Sequence, residues 1–358
     1  MEYQVTKALS LKTTGTHGTV GDSLLAEANI NLGGSRVYLT EQMAEDSAGH
    51  NSTTVLGTET TSDPDRKIYT ESQWEHADNG IDRQISLLGV QRNWDLAPGL
   101  SALFAGEASE IESEIETTTR YTVATGLSYN LPKGFEARLR GEVRREKGNQ
   151  EREQYLTANR FEVNLSPDYS LLGRYNYSVT RDLDLDEIEA RFEERSIGLA
   201  YRPVASDRLN LLTRYTQLSD QAPDTLDDME SQITYTQVAS IEWSYDISPR
   251  LEWVDKNALK TKKERTGDRP SIKTHTSLSI HRLNYNFLGD FDLGVEYRIK
   301  LVDETNDQQV GWLTELMYTV GRNFRLGFGF NFTDFSDNEF SDNDYSVRGL
   351  FLRFQAKH

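Results

Sequence analysis

Ser277, Ser279 and His281 are the residues that most invite a chemical reading. They share one parity on one segment, and a Ser–His pair is the machinery of nucleophilic hydrolysis. On an extended chain, side chains two apart stand about 6.5–7 Å from each other, because the rise is ~3.3 Å per residue. A nucleophile and its base need about 2.6–3.2 Å. These sequence neighbours therefore do not make a dyad. Apolar parity also changes here: Leu278 and Ile280 are even, whereas Leu283, Tyr285 and Phe287 are odd. The pattern predicts a β-bulge at His281-Arg282, or His281 lining an interior. The remaining histidines, His17, His50, His76, His275 and His358, make no stronger case, even with Glu75 beside His76. No phosphate-binding Gly loop, zinc spacing or nucleophile elbow is present. The expectation is a protein without catalytic residues, cofactor or metal centre.

Charged side chains form the second constellation. Arg138, Arg140, Glu142, Arg144, Arg160, Glu162, Arg174, Arg214, Glu242, Glu296, Arg298, Lys300 and Arg325 all fall opposite apolar neighbours. If they line an interior, two chemistries are open. Opposite charges on adjacent strands stiffen a sheet, at roughly 0.2–1 kcal/mol per pair. The same groups could also bias which solutes pass. A third group is acidic: Glu110–Glu116, Asp182–Glu189, Asp220–Ser231 and Ser336–Asp344. Such blocks read as solvated loops. The functional alternative is bridging by divalent cations to anionic lipopolysaccharide, since hard cations favour oxygen ligands.

The elements that position these groups are strands. Phe324, Leu326, Phe328, Phe330 and Phe332 share one face, with Arg325, Gly327, Gly329, Asn331 and Thr333 on the other. The segment from Phe291 sets Leu293, Val295, Tyr297, Ile299 and Leu301 against Asp292, Gly294, Glu296, Arg298 and Lys300. The segment from Phe135 repeats this alternation. Successive strand side chains point to opposite faces, so each segment has one apolar and one charged surface. These runs last about 10–14 residues, against about 5–6 for a globular strand and about 9–11 for a tilted transmembrane one. Tight turns are expected at Gly33-Gly34-Ser35, Asp63-Pro64-Asp65, Ala97-Pro98-Gly99, Leu131–Gly134, Ser166-Pro167-Asp168, Val204–Asp207, Ser248-Pro249, Leu288-Gly289-Asp290 and Gly321-Arg322-Asn323. Short turns alternating with longer loops is the outer-membrane rhythm. The count predicts about twenty strands (18–22) in a transmembrane antiparallel up-and-down β-barrel. Tyr129, Tyr201, Trp243, Tyr245, Trp253, Trp312 and Tyr318 lie on the apolar parity near strand ends, as interface girdles do.

Bulk composition agrees with a polar interior. Of 358 residues, 36% are hydrophobic, yet 17 Tyr, 14 Phe and 5 Trp are far too many for a disordered chain. The formal net charge of −18 excludes a general nucleic-acid role. There is no cysteine, hence no disulfide or thiolate site. No apolar run is long enough for a transmembrane helix. The N-terminal residues do not form a signal peptide. Export requires one, so residues 1–358 are expected to be a single barrel domain, as a mature form or the C-terminal part of a longer protein.

Tyr201–Pro203 (YRP), Leu251–Val254 (LEWV), Leu278–Leu283 (LSIHRL), Asp292–Arg298 (DLGVEYR), Leu326–Asp337 (LGFGFNFTDFSD) and Gly349–Phe354 (GLFLRF) carry a resemblance. The chain resembles the C-terminal outer-membrane barrel of large repeat-bearing bacterial surface proteins. The resemblance implies a Gram-negative outer-membrane location and anchoring of an upstream surface or periplasmic region; the passive pore is expected separately, because about twenty strands enclose a lumen wider than side chains fill. The expected partners are outer-membrane lipid and lipopolysaccharide, the barrel-insertion machinery, and an upstream segment or partner filling the lumen. The chain ends Ala356-Lys357-His358, with Phe354 the nearest aromatic on the same parity. The rival readings are a selective porin-type channel and a scaffold for an export or electron-transfer partner.

Overall fold

A computed structural model describes the chain except residues 1, 7, 18–20, 47–48, 61, 79–81, 133, 224–230, 321–323, 334, 336–347 and 357–358. Among the described residues there are twenty-one strands and no helix. They are β1 (Glu2–Gln4), β2 (Leu9–His17), β3 (Gly21–Leu32), β4 (Ser35–Asp46), β5 (Gly49–Thr60), β6 (Arg66–Ala77) and β7 (Arg83–Ala97). Next come β8 (Leu100–Ser113), β9 (Thr117–Leu131), β10 (Phe135–Lys147), β11 (Arg152–Asn164), β12 (Tyr169–Asp182), β13 (Glu187–Tyr201) and β14 (Leu209–Pro223). The last are β15 (Ser231–Ser248), β16 (Leu251–Thr266), β17 (Ile272–Asn286), β18 (Phe291–Val302), β19 (Asp307–Val320), β20 (Phe324–Asn331) and β21 (Gly349–Ala356). From β3 to β19 each strand has 12 to 18 residues.

The chain divides into two compact units. The first comprises Met1–Leu131, Ala137–Asn159 and Tyr177–Ala190. The second comprises Pro132–Glu136, Arg160–Asn176 and Arg191–His358. Within the first, β1 to β9 pair antiparallel in sequence order. Within the second, β13 to β21 do the same. This up-and-down order follows from the turns, which are too short to let the chain cross over. Eight of the nine expected turns fall between strands; residues 321–323 lie outside the described set.

Two expectations change. The acidic segments are less loop than strand. β8 runs through Ser113, leaving 114–116 as its link, and β13 starts at Glu187, leaving 183–186. Glu110, Ile111 and Glu112 pair in register with Thr119, Thr118 and Thr117, so their backbone groups are satisfied whatever their side chains. Asp220–Pro223 belongs to β14, and residues 224–230 and 336–344 lie outside the described set. The second change concerns β17. It pairs with β16 and β18 without any register shift, so there is no bulge at His281-Arg282. The register shifts lie instead at Asp95/Ala97 and Asp246/Ser248, beside short turns.

Alternation gives each unit a polar and an apolar face. In the second unit, Glu296 opposes Arg282 and Leu313, and Gly294 opposes Asn284 and Glu315. The opposite face carries Leu293, Val295, Leu316, Tyr318, Leu326 and Phe328, all exposed. In the first unit, Leu39, Leu56, Leu88, Phe104, Val123 and Leu127 are likewise exposed. Only seven apolar residues are buried among the described ones: Ala124, Val179, Ala258, Leu278, Leu313, Met317 and Phe335. Burying a large aliphatic side chain is worth roughly 1.5–3 kcal/mol. A chain that leaves dozens uncovered has placed them against something other than itself.

Candidate functional site: the charged face

Ion pairs along and between strands link the charges of the polar faces. In the first unit, Glu59 takes Arg36 (2.8 Å) and Lys67. Arg120 reaches Glu146 at 2.6 Å and Arg152 reaches Glu189 at 2.8 Å. Arg140 and Arg144 flank Glu142 at 2.9 and 3.3 Å. In the second unit, Arg160 lies 3.7 Å from Glu162 and Arg174 lies 3.6 Å from Glu194. Arg214 and Glu242 line one cavity of about 250 Å³, with Lys256 opposite Glu242. Arg325 holds Asp292 at 2.7 Å. Arg138 and Lys300 are also engaged.

The densest part is a ladder centred on Glu315, which is 1% exposed. Arg282 donates to it at 2.8 Å and Arg353 at 3.2 Å. Arg282 also reaches Glu296 at 3.3 Å, and Arg298 pairs with Glu296. Arg282 spans β18 to reach Glu315 because the intervening residue is Gly294; a Cβ there would lie 2.6 Å from its guanidinium. The ladder walls a cavity of about 840 Å³ that Glu252, Asp292 and Arg325 also line. The first unit uses the same device with tyrosine. Tyr38 lies over Gly57 to donate to Glu71, and Tyr69 lies over Gly89 to donate to Glu107 at 2.8 Å.

All thirteen charges singled out in the sequence occupy the polar parity of their strands. Arg282, Glu315 and Arg353, the centre of the ladder, were missed. The expected bulge at His281-Arg282 left Arg282 without a defined face, and neither Glu315 nor Arg353 stands in a run of alternating charges. The glycine-spanning contacts were missed too. Their only sequence signal is a Gly on polar parity one strand away from a Tyr or Arg.

His281 lies on the apolar face, contrary to the expected interior lining. It pairs with Asp255, which is 4% exposed. Asn257 also donates to Asp255, and Ser279 donates to Asn257 at 2.7 Å. Among the described residues, no group of three His, Asp or Glu is placed to hold a metal ion. The aromatics of the apolar face gather near the short turns. Trp243 and Trp253 meet edge-on at 4.6 Å, Tyr318 stacks on Phe291 at 4.6 Å, and Tyr201 meets Tyr169 at 4.7 Å. Tyr129 and Tyr245 sit at the same end of their strands. Trp312 is the exception: it packs on Tyr297 at 4.4 Å, eight residues from the end of β19 at Val320. A second set was not anticipated, with Tyr155 and Tyr235 toward the other end and Tyr215 mid-strand. Tyr155 donates to Glu153, and Gln217 and Gln237 donate to the hydroxyls of Tyr215 and Tyr235.

No family model and no curated protein matches this sequence. Solved structures do. The ferric-catecholate import receptor Fiu from E. coli K12 superposes with a TM-score of 0.56 at 9% identity, over 99% of this chain and 78% of that one. The FrpB iron transporter from Neisseria meningitidis gives 0.54 at 9%, over 98% and 75%. The alcaligin outer-membrane receptor FauA from Bordetella pertussis gives 0.51 at 11%, over 98% and 75%. The fold is that of the outer-membrane β-barrels: all-β, antiparallel and up-and-down.

Proposed function

We propose that this chain is a Gram-negative outer-membrane barrel whose apolar face meets lipid and whose charged face lines a water-filled passage. The observation that carries the reading is the division of polarity by parity. Except where β16 and β17 invert, exposed Leu, Phe and Val stand on one side of the strands and ion-paired Arg and Glu on the other. In water the apolar side would be a standing cost; in a bilayer it costs nothing, and closure of the sheet satisfies the backbone. About twenty strands enclose more space than side chains fill. The charged face thus serves a passive pore, and the barrel an anchor for any region joined to it. The acidic strand ends would meet the lipopolysaccharide layer through divalent cations. Phe354 would serve the insertion machinery. A selective solute channel is the second reading, favoured by likeness to structures whose names specify import.

The chain has no cysteine, so single thiols can be placed cleanly. Asp292→Cys and Leu293→Cys are adjacent on β18 and point to opposite faces. In outer membranes, a charged thiol reagent should label the first, and only a lipid-soluble one the second. Equal labelling of both by the charged reagent refutes the reading. Planar-bilayer current then separates pore from anchor: a steady current supports the passage, and silence supports a filled lumen.

A further inference from the structure

The chain carries a net charge of −18, yet residues 260–265 hold four cations: Lys260, Lys262, Lys263 and Arg265. Parity splits them. Lys262 is on the charged face and pairs with Glu264 at 2.5 Å. Lys263 and Arg265 are on the other face, the side of Trp253 and Leu259, and both are exposed. Across the ladder of β16 and β17, Lys263 stands directly opposite Lys273, also exposed. Like charges directly opposite one another destabilise a sheet. Among the described residues, neither Lys263 nor Arg265 makes an ion pair. Lys273 has one anion nearby, the Glu304 carboxylate, whose two oxygens already accept the His275 N–H.

The height of these cations on the wall is set by β15. Tyr245 and Tyr235 are exposed on its apolar face, ten residues apart. At ~3.3 Å per residue and a tilt of about 35–45°, ten residues climb about 23–27 Å, which matches an apolar band about 25 Å tall. Tyr245, near the short turns, marks one border of the band, and Tyr235 the other. Lys263 pairs in register with Tyr235, and Arg265 lies one row further out, opposite Ile233. The row Tyr235–Lys263–Lys273 therefore stands where headgroups begin. Four residues lower on β16, Leu259 is 66% exposed, and Leu301 shares its row beyond Ser277. The patch is cationic at headgroup height and aliphatic beneath. Short turns face the periplasm in such barrels, so this border belongs to the outer leaflet.

We propose that Lys263, Lys273 and Arg265 form a seat for a phosphate of an outer-leaflet glycolipid, lipopolysaccharide, whose acyl chains run down over Leu259 and Leu301. The proposal rests on the apolar face meeting lipid. A phosphate between Lys263 and Lys273 turns their repulsion into attraction, and Arg265 offers the same group a planar fork of donors. This contact needs no divalent cation, unlike the bridging proposed for the acidic strand ends.

The test uses the full chain in detergent micelles with a chelator present, which removes divalent bridging. Lipopolysaccharide should bind saturably to the wild type. Lys263→Gln with Lys273→Gln should weaken binding by at least about tenfold, the loss of a hydrogen bond to a charged group. Lys260→Gln with Lys262→Gln removes the same two charges from the opposite face and should bind as the wild type does. Lipopolysaccharide stripped of its lipid A phosphates should bind the wild type as weakly as the intact form binds the first variant. Equal binding by the wild type and the folded first variant overturns the proposal, and so does an equal loss in both variants. Displacement by inorganic phosphate at the same concentration would assign the seat to free phosphate and overturn the lipid. The Leu293→Cys labelling separates the failures. If the charged reagent labels it, the barrel reading falls and the seat with it. If only the lipid-soluble reagent does, while the first variant binds normally, the seat alone falls.

Discussion

Replacing Glu315 by Gln removes one negative charge and changes almost no volume, so it isolates the electrostatic contribution of the ladder. Glu315 is shut off from solvent, and two arginines depend on it, at 2.8 and 3.2 Å. Breaking a buried pair by removing one partner costs about 3–5 kcal/mol. Two features reduce that here. The Arg282 and Arg353 side chains keep 18% and 29% exposure, so water takes part of their solvation. Arg282 also keeps Glu296 at 3.3 Å, and Gln retains a carbonyl acceptor. The expected loss is then about 2–3 kcal/mol, at or just below the lower end of the buried-pair range. The assay is urea unfolding in detergent micelles followed by tryptophan fluorescence, with the midpoint and slope fitted together. A cycle with Arg353→Gln should give a coupling of about 1–2 kcal/mol, as expected for groups in one network. A loss below about 0.5 kcal/mol, the range of an ordinary surface change, or strict additivity with Arg353→Gln, would refute the claim that Glu315 organises this wall.

Three further outcomes follow from the geometry. Gly89→Ala places a Cβ 2.2 Å from the Tyr69 ring, so it should destabilise by about 1–3 kcal/mol through overpacking; the effect should largely vanish in a Tyr69→Ala background, measured by the same unfolding assay. Glu304, in the link between β18 and β19, accepts the His275 N–H on both oxygens at 2.9 and 2.8 Å, and this bond holds its carboxyl below the usual carboxylate range. A depressed value means the contact contributes above the ordinary carboxylate range and is lost as pH falls through the lowered one. The protection factor of the His275 amide, taken against the intrinsic exchange rate at each pH, should therefore fall on acidification in the wild type and show no such step in Glu304→Gln. His281→Ala leaves the Asp255 carboxylate without its ring partner, at about 1–3 kcal/mol for an unsatisfied buried group; the double variant with Asp255→Ala should recover part of it, and equal stability of single and double variants would count against the pair.

What the sequence made legible was whatever period two encodes. Phe291–Leu301 against Asp292–Lys300 fixes both faces of β18, and the observed register follows it. Gly33-Gly34 and Pro98-Gly99 mark turns through backbone preference alone, and both are turns. Strand ends were harder. Glu110–Ser113 has Ile111 as its one apolar residue, so hydropathy reads it as loop, yet Glu110–Glu112 pair with β9. Contacts across an intervening glycine were not legible at all. Tyr69, Gly89 and Glu107 are spread over three strands, and only the register brings them into line.

The inversion on β16 and β17 shows which signal governs when two conflict. Here Ala258, Leu278 and Ile280 face the charged side, and Asp255, Asn257, Ser279 and His281 face the apolar side. A slip of one residue would correct all seven, since every side chain changes face together. The same slip would turn Trp253, Leu283 and Tyr285 onto the charged face, and these three are fixed on the apolar face by their neighbours on β15 and β18. Register therefore follows the half of the strand nearest the short turns, and the upper half must live with inverted polarity. Each side has its own remedy. Inside, Phe335 covers the apolar patch. Outside, the polar groups satisfy one another: His281 and Asn257 bond to Asp255, and Ser279 to Asn257. Neither remedy requires a bulge, and both leave the hydrogen-bond ladder of β17 unbroken. A parity change in a strand sequence is thus evidence of a slip only when no side chain from elsewhere can cover the misplaced residues.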